Sequence, residues 1–358
     1  FDFDYNVPAS DPTSRRAWTR IARRRARAHE TNPPAWNPAR RPGPLHEELA
    51  RFLSLTRAVR CEPEQILLVG SAQAAFHLAA WLLTEPGDVV ALEDPHYLGA
   101  RRSFLARGAR VHPVPVDERG LRTDRLPRGR RARIVYTASS HQWPTGASLP
   151  LARRLELLEW AREERAWVLE NDHNCEYLYE GAPIQSLQGL DDSDRVIHVG
   201  TFSRLLDPYP SVAYCVVPRP LVRLFRGGSN LEGSSFSFLE METLTEFMAS
   251  GELERLLRRA SRRLRALRKT LVDALREQPT PLVARSTTGG LHLYVRLPGR
   301  SASDVDDLVS RAAREGVGIY PGAPFYLRPP KTPGFLLGYA RLTPGEIREG
   351  IRRLLPLL

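Results

Sequence analysis

At 358 residues, with 42% hydrophobic and 26% charged, the chain can bury a sizeable core in two domains, which excludes disordered and fibrous classes. No apolar run reaches the roughly 18 to 20 residues of a membrane span, and Phe1 to Ser10 lacks a signal-peptide layout, so a soluble, cytoplasmic protein without membrane partners is expected. Net charge is +11, yet only Lys269 and Lys331 are lysines, so arginine-biased composition with solvated helix faces explains the charge more simply than a nucleic-acid surface.

The chain does not begin with Met, which leaves room for a segment upstream. Residues 1–43 are rich in Pro and Arg, with one helix predicted around Arg15 to His29. Apolar Gln65 to Val69 then meets Gly70-Ser71 and an Ala-rich helix, Ala72 to Leu83, and the same order of strand, turn and helix recurs. Further strands are predicted at Asp88 to Leu92, Arg110 to Val116, Ile134 to Thr137, Trp167 to Glu170, Arg195 to Val199 and Ala213 to Val217. Helices fall near Tyr97 to Arg107 and Leu149 to Arg165. Alternation of this kind predicts a largely parallel sheet covered on both faces, over residues 44–234. Residues 235–277 read as one or two long amphipathic bridging helices. Residues 278–358 read as a smaller α+β domain, with strands at His292 to Leu297, Val317 to Tyr320 and Phe335 to Tyr339 and helices at Ser303 to Glu315 and Pro344 to Leu357. Cys61, Cys175 and Cys215 are scattered, which predicts reduced thiols and no metal site.

In open α/β sheets, ligands sit beyond the carboxyl ends of the strands. The segments there are Gly70-Ser71-Ala72-Gln73, Glu93-Asp94-Pro95-His96-Tyr97, Ser139-Ser140-His141-Gln142-Trp143-Pro144-Thr145-Gly146, Glu170-Asn171-Asp172-His173 and Gly200-Thr201-Phe202-Ser203-Arg204. The first could hold an anion on a helix N-terminus, although packing alone also favours its small residues.

In this order, and with Gly289-Gly290-Leu291-His292-Leu293 and Gly338-Tyr339-Ala340-Arg341-Leu342-Thr343-Pro344, the set resembles fold type I pyridoxal-phosphate enzymes, class I/II aminotransferases. Within them it is most similar to the aminotransferase-like domain of the MocR branch of GntR transcriptional regulators. The resemblance implies a pyridoxal-phosphate-dependent transferase fold: a large domain with a mostly parallel seven-stranded sheet, a small C-terminal α+β domain, and a homodimer.

It also implies site residues, several of which depart from the family pattern. The position of the Schiff-base lysine holds Arg204, whose guanidinium stays protonated and cannot form that bond. The carboxylate partner of the pyridine nitrogen falls on Asn171, a one-residue shift putting Asp172 there instead. The tyrosine on the ring oxygen falls on His173, the phosphate arginine on Ser211, and a tyrosine given to the partner subunit on Trp36. Tyr97 matches the ring-stacking aromatic, Thr201 and Ser203 match hydroxyls near the phosphate, and Ser71, Ala72 and Gln73 stay candidates for holding a ligand through their anion-binding turn. Arg204 either pairs structurally with Asp172 or Asp207, or binds an anionic group with its bidentate fork. His173, His141 and Arg204 are candidates for a catalytic role, a satisfied structural histidine being the commoner one.

Ordinary transamination and covalent pyridoxal phosphate are therefore not expected, and the cofactor is left open. The resemblance implies a small-molecule-binding and dimerisation domain of a MocR-type regulator, with an anionic or amino-acid-like ligand, DNA being reached only through an upstream domain. The alternative is an aminotransferase-derived enzyme of specialised metabolism that uses the pocket for cofactor-independent or non-covalent chemistry. A pseudoenzyme stabilising a competent relative is a third reading.

Overall fold

The computed structural model describes all residues except 9–10, 32–41, 130, 178, 180–184, 206–211, 232–236, 278–281 and 285–288. Trp36, Asp207 and Ser211 lie outside the described residues.

The larger sheet holds β1 (Ile66–Val69), β2 (Val89–Asp94), β3 (Arg110–Asp117), β4 (Gly120–Leu121), β5 (Ile134–Thr137), β6 (Trp167–Asn171), β7 (Val196–Thr201) and β8 (Ala213–Val216), in the order β1-β8-β7-β6-β5-β2-β3-β4. The five strands from β7 to β3 are parallel, while β8, β1 and β4 run against their neighbours. The expected seven strands are thus present, and the two-residue β4 adds an eighth by folding back on β3. β1, β5 and β8 are buried at every residue, as strands covered on both faces must be.

Helix α1 (Pro12–Thr31) is longer at both ends than predicted, and α2 (Pro44–Arg57) is a helix the predicted element order lacks. Pro44 at its first position and the buried Leu45, Leu49, Phe52 and Leu53 account for it. Helix α3 (Ala72–Leu83) starts where the Ser71 hydroxyl accepts the Ala74 N–H at 3.0 Å. It is followed by α4 (Leu98–Ala106), α5 (Leu151–Glu164), the short α6 (Leu187–Leu190) and α7 (Val222–Leu231).

The bridging stretch is two helices, α8 (Phe238–Ala249) and α9 (Glu252–Arg276), broken where Gly251 turns left-handed at φ +73°. Leu253, Leu256, Ala260, Leu264, Leu267, Leu271 and Leu275 of α9 are buried at three- and four-residue steps. The smaller sheet, in the order β11-β12-β10-β9, contains β9 (Val283–Ala284), β10 (His292–Arg296), β11 (Tyr320–Pro321) and β12 (Gly334–Gly338). Its helices, α10 (Ala302–Arg314) and α11 (Pro344–Leu354), open on capping boxes, Ser301 with Asp304 and Thr343 with Glu346.

Asp2 and Phe3 lie along this smaller unit. Asp2 bridges Gly318, the Phe3 N–H donates to the Gly318 carbonyl at 3.0 Å, and the Gly338 N–H donates to the Phe3 carbonyl at 2.8 Å. Phe3 joins a core that includes Trp18, Leu53, Phe247, Leu264 and Leu337.

The arginine runs are less free than a solvated face would be. Arg24 and Arg25 pair with Glu246, Arg259 donates to Asp11 at 2.9 Å, and Arg263 donates to the Ala340 carbonyl at 2.5 Å. Among the described residues no helix is long and apolar enough to cross a membrane.

Candidate functional site

The site forms beyond the carboxyl ends of β2, β5, β6 and β7, and strand alternation decides which side chains face it. Asn171 ends β6 on the face that carries Leu169, and its amide donates to the Tyr136 hydroxyl at 2.8 Å. Tyr136 packs edge-on against Phe76 at 5.5 Å, and Phe76 against Tyr97 at 6.0 Å. Asn171 and Tyr97 thus belong to one chain of contacts.

Asp172 turns to the opposite face. It accepts from Arg57 Nε at 2.6 Å and Nη2 at 3.0 Å, and lies 3.8 Å from His198 Nε2. Burial raises the Asp172 carboxyl, but Arg57 and then His198 overcome this and hold it well below the usual range. Glu170, on the same face, accepts from Ser139 Oγ at 2.8 Å, the Leu187 N–H at 2.8 Å and His198 Nδ1 at 2.9 Å. Arg154 spans the carbonyls of Leu149, Gln185 and Ser139 beside it. This network is a buried foundation beneath the site. Of the two structural pairings open to Arg204, the one with Asp172 is not made, because Arg57 occupies both carboxylate oxygens.

Arg204 reaches the N-terminal segment instead. Its Nη1 donates to the Asn6 carbonyl and its Nη2 to Asn6 Oδ1 at 3.1 Å, while the Tyr177 hydroxyl donates to the Arg204 carbonyl at 3.0 Å. Thr201 Oγ1 donates to Ser203 Oγ at 3.1 Å and accepts the Ser203 N–H at 3.2 Å, shaping the turn before it. The remaining predicted residues are committed locally. Ser71 caps α3, with Ala72 its first residue, and Gln73 Nε2 donates to the Gly99 carbonyl at 3.1 Å and Ser103 Oγ at 2.8 Å.

His141 and His173 come together, with ring centroids 5.9 Å apart, and two residues absent from the predicted site join them. Trp143 lies 4.9 Å from His292 and 5.8 Å from His173, and His292 lies 5.6 Å from His141. Tyr5 and Phe325 wall Trp143 at 5.3 and 5.5 Å. His292 Nε2 donates to the Pro144 carbonyl at 2.8 Å. Burial, reinforced by the charge of Arg204, lowers His173 to about 3 and His292 to about 4; burial and then its histidine neighbours lower His141 far below its ordinary value. All three imidazoles are neutral at pH 7.

Gly290 makes room for this cluster. It sits at φ +94°, a Cβ there would collide with the His141 ring, and its carbonyl accepts from the hydroxyls of Tyr179 and Tyr339. Lys269 is largely exposed and pairs with Asp273 at 2.6 Å, and Lys331 is exposed before β12. Among the described residues, no group of three His, Cys, Asp or Glu side chains could hold a metal ion.

The model of the aminotransferase class I and II family matches residues 6–354. The probable rhizopine catabolism regulatory protein MocR of Rhizobium meliloti is 33% identical over 340 residues, 94% of this chain and 68% of that protein. The 2-aminoadipate transaminase of Thermus thermophilus is 32% identical over 330 residues, covering 89% of this chain and 80% of that enzyme. The chain spans about two thirds of the length of the curated regulators it matches. Among solved structures, the multiple substrate aminotransferase of Thermococcus profundus superposes with a TM-score of 0.89 at 26% identity, over 99% of this chain and 90% of that one. Frame and sequence agree from the N-terminal segment to the last helix: the chain belongs to the aminotransferase class I and II family and has its fold type I architecture.

Proposed function

We propose that the chain is a non-transaminating domain of a MocR-type regulator, binding a small anionic or amino-acid-like molecule and dimerising, in the cytoplasm. On this reading residues 44–234 and 278–358 are the two lobes, 235–277 joins them, and a DNA-binding module would lie outside the chain. Similarity to MocR supports the regulator class.

The observation that carries the reading is the side chain at 204. A guanidinium donating to Asn6 cannot take the place of a neutral amine in attack on an aldehyde. The other residues do not fit lysine-held pyridoxal phosphate either. Asn171 offers an amide engaged with Tyr136, and both lysines stand exposed. Arg204 suits a carboxylate or phosphate instead, its fork already bridging two oxygens of Asn6. Such a ligand regulates only if it binds two arrangements of the protein unequally.

The test adds pyridoxal phosphate, dialyses, reduces with borohydride and maps the peptides, alongside a thermal-shift screen of amino acids and phosphorylated metabolites. The expected result is no Schiff-base absorbance after dialysis and a stabilising ligand whose effect is lost in Arg204→Ala. A pyridoxyl group fixed in the pocket would overturn the proposal.

A further inference from the structure

We infer that the outer face of α1 is a phosphate-binding stripe, with which this chain itself holds the backbone of duplex DNA without reading its bases. None of its residues belongs to the candidate site, so the stripe stands whether or not Arg204 receives a ligand. That the duplex is DNA rests on the regulator reading above.

At 3.6 residues per turn, Arg16, Arg20, Arg23 and Arg27 fall within an arc of about 60°, nearly opposite the buried Ala17, Trp18 and Ile21. All four are exposed, and a groove of about 760 Å³ follows them between Arg15 and Arg27. Arginine-biased composition does not explain this face. On other helices an acid three or four residues earlier answers the exposed arginine: Glu48 for Arg51, Glu159 for Arg162, Asp307 for Arg311, Glu349 for Arg352. On α1 the corresponding places before the four arginines hold no acid. Arg20 reaches Glu252 on another helix at 3.4 Å, and Arg16, Arg23 and Arg27 have no acidic partner among the described residues. The first turn, where a helix favours acids, has none, and Arg16 with Arg20 and Arg23 with Arg27 repel at four-residue spacing. Such an arrangement works against the isolated helix and is relieved by an anion laid along it.

The chemistry of the face selects the anion. From Arg16 to Arg27 the charges span about 16 Å, about five base-pair steps, so an extended polyanion fits where a single small ion does not. Between Arg16 and Arg27 the face carries no apolar side chain. It therefore lacks the anchor on which a protein interface depends and the ring on which an unpaired base stacks. The apolar side that would enter a membrane is already in the core, through Trp18 and Ile21. Duplex backbone needs none of these, and the planar guanidinium fork matches phosphate oxygens. Contacts of this kind position a duplex and carry no sequence information. DNA contact, which the family resemblance places upstream, thus extends onto this chain.

The experiment follows the anisotropy of a labelled DNA duplex of arbitrary sequence, about 20 base pairs long, as the chain is added between about 50 and 200 mM NaCl. The logarithm of the binding constant should fall with that of salt with a slope of about −3 to −4, one unit for each stripe arginine. Arg16→Gln, Arg23→Gln and Arg27→Gln combined should bring the slope to about −1 and weaken binding at least about tenfold at the lowest salt. Arg102→Gln, Arg119→Gln and Arg131→Gln combined remove the same charge from exposed positions elsewhere and should weaken it less than about threefold. Thermal melting by circular dichroism reports that both variants are folded. Absence of binding at low salt, equal weakening in the two variants, a duplex RNA held more tightly than the DNA, or poly-L-glutamate competing as well per charge as unlabelled duplex overturns the proposal. The borohydride and thermal-shift results concern Arg204 alone, so the two failures are told apart.

Discussion

Arg57 grips both oxygens of Asp172 from the face of β6 opposite to the one where Asn171 meets Tyr136. The two adjacent residues serve different layers, so the neighbouring carboxylate cannot stand in for the amide without turning the strand over. Asn171 is the residue that faces the Tyr136–Tyr97 side.

Breaking this pair leaves a charge buried without its counterpart. Arg57→Ala or Asp172→Asn should each cost about 3–5 kcal/mol in urea unfolding followed by circular dichroism. Replacing both together, as Arg57→Met with Asp172→Leu, should cost less than either single change, since no stranded charge remains.

Arg204 ties Asn6 to the carboxyl end of the larger sheet, while Phe3 is held by backbone bonds to the smaller one. In Arg204→Ala, amide hydrogen exchange should quicken at Asn6 and its neighbours and change little at Phe3. Equal acceleration at both would mean that the whole segment had detached.

Acid should destabilise the fold over a defined window. Burial holds His46, His96 and His292 at about 4 and His173 at about 3, against about 6.5 for the unfolded chain. Below pH 6.5 the unfolded state takes up protons that the folded state refuses. Stability therefore falls from about pH 6.5 towards pH 4, by up to about 1.4 kcal/mol per pH unit for each histidine. His198 opposes this. Burial lowers it, but Glu170 overcomes burial and raises it, so its contribution is complete below its unfolded value and is lost as pH rises through the folded one. His141, lowered far below its ordinary value, adds a fifth term, while Glu93 and Glu176, raised by burial to about 7, bind protons in the folded state first and side with His198. Five terms outweigh three, and urea midpoints at pH 7, 6 and 5 should decline in that order.

Ser71 contributes through its cap. Ser71→Ala should lower stability by about 1 kcal/mol and Ser71→Gly by only a few tenths. Chemical denaturation of both variants checks this.

What the sequence made legible was local. The start and end of α3 coincide with the prediction because Ser71 and Thr84 bound an Ala- and Leu-rich run, and β5 is readable because all four of its residues are buried. Asn171 and Tyr97 could be placed because they stand at or just past the carboxyl ends of strands. Arg57 could not be matched to Asp172, 115 residues away, nor His292 to the Pro144 turn, 148 residues away, because no periodicity encodes such meetings. Helix α2 was within reach, since Pro44 and the spacing of Leu45, Leu49, Phe52 and Leu53 are an ordinary helix signal at the edge of a proline-rich stretch.

The wall beside Trp143 is drawn from both ends of the chain: Tyr5 stands edge-on to Tyr320, and the Tyr320 hydroxyl donates to Asp2, 318 positions away. A nascent chain still emerging from the ribosome has the first half of this wall and must wait for the last. Until Tyr320 and Phe325 have been made, Tyr5 and Trp143 lack the rings that pack against them, and this wall cannot close.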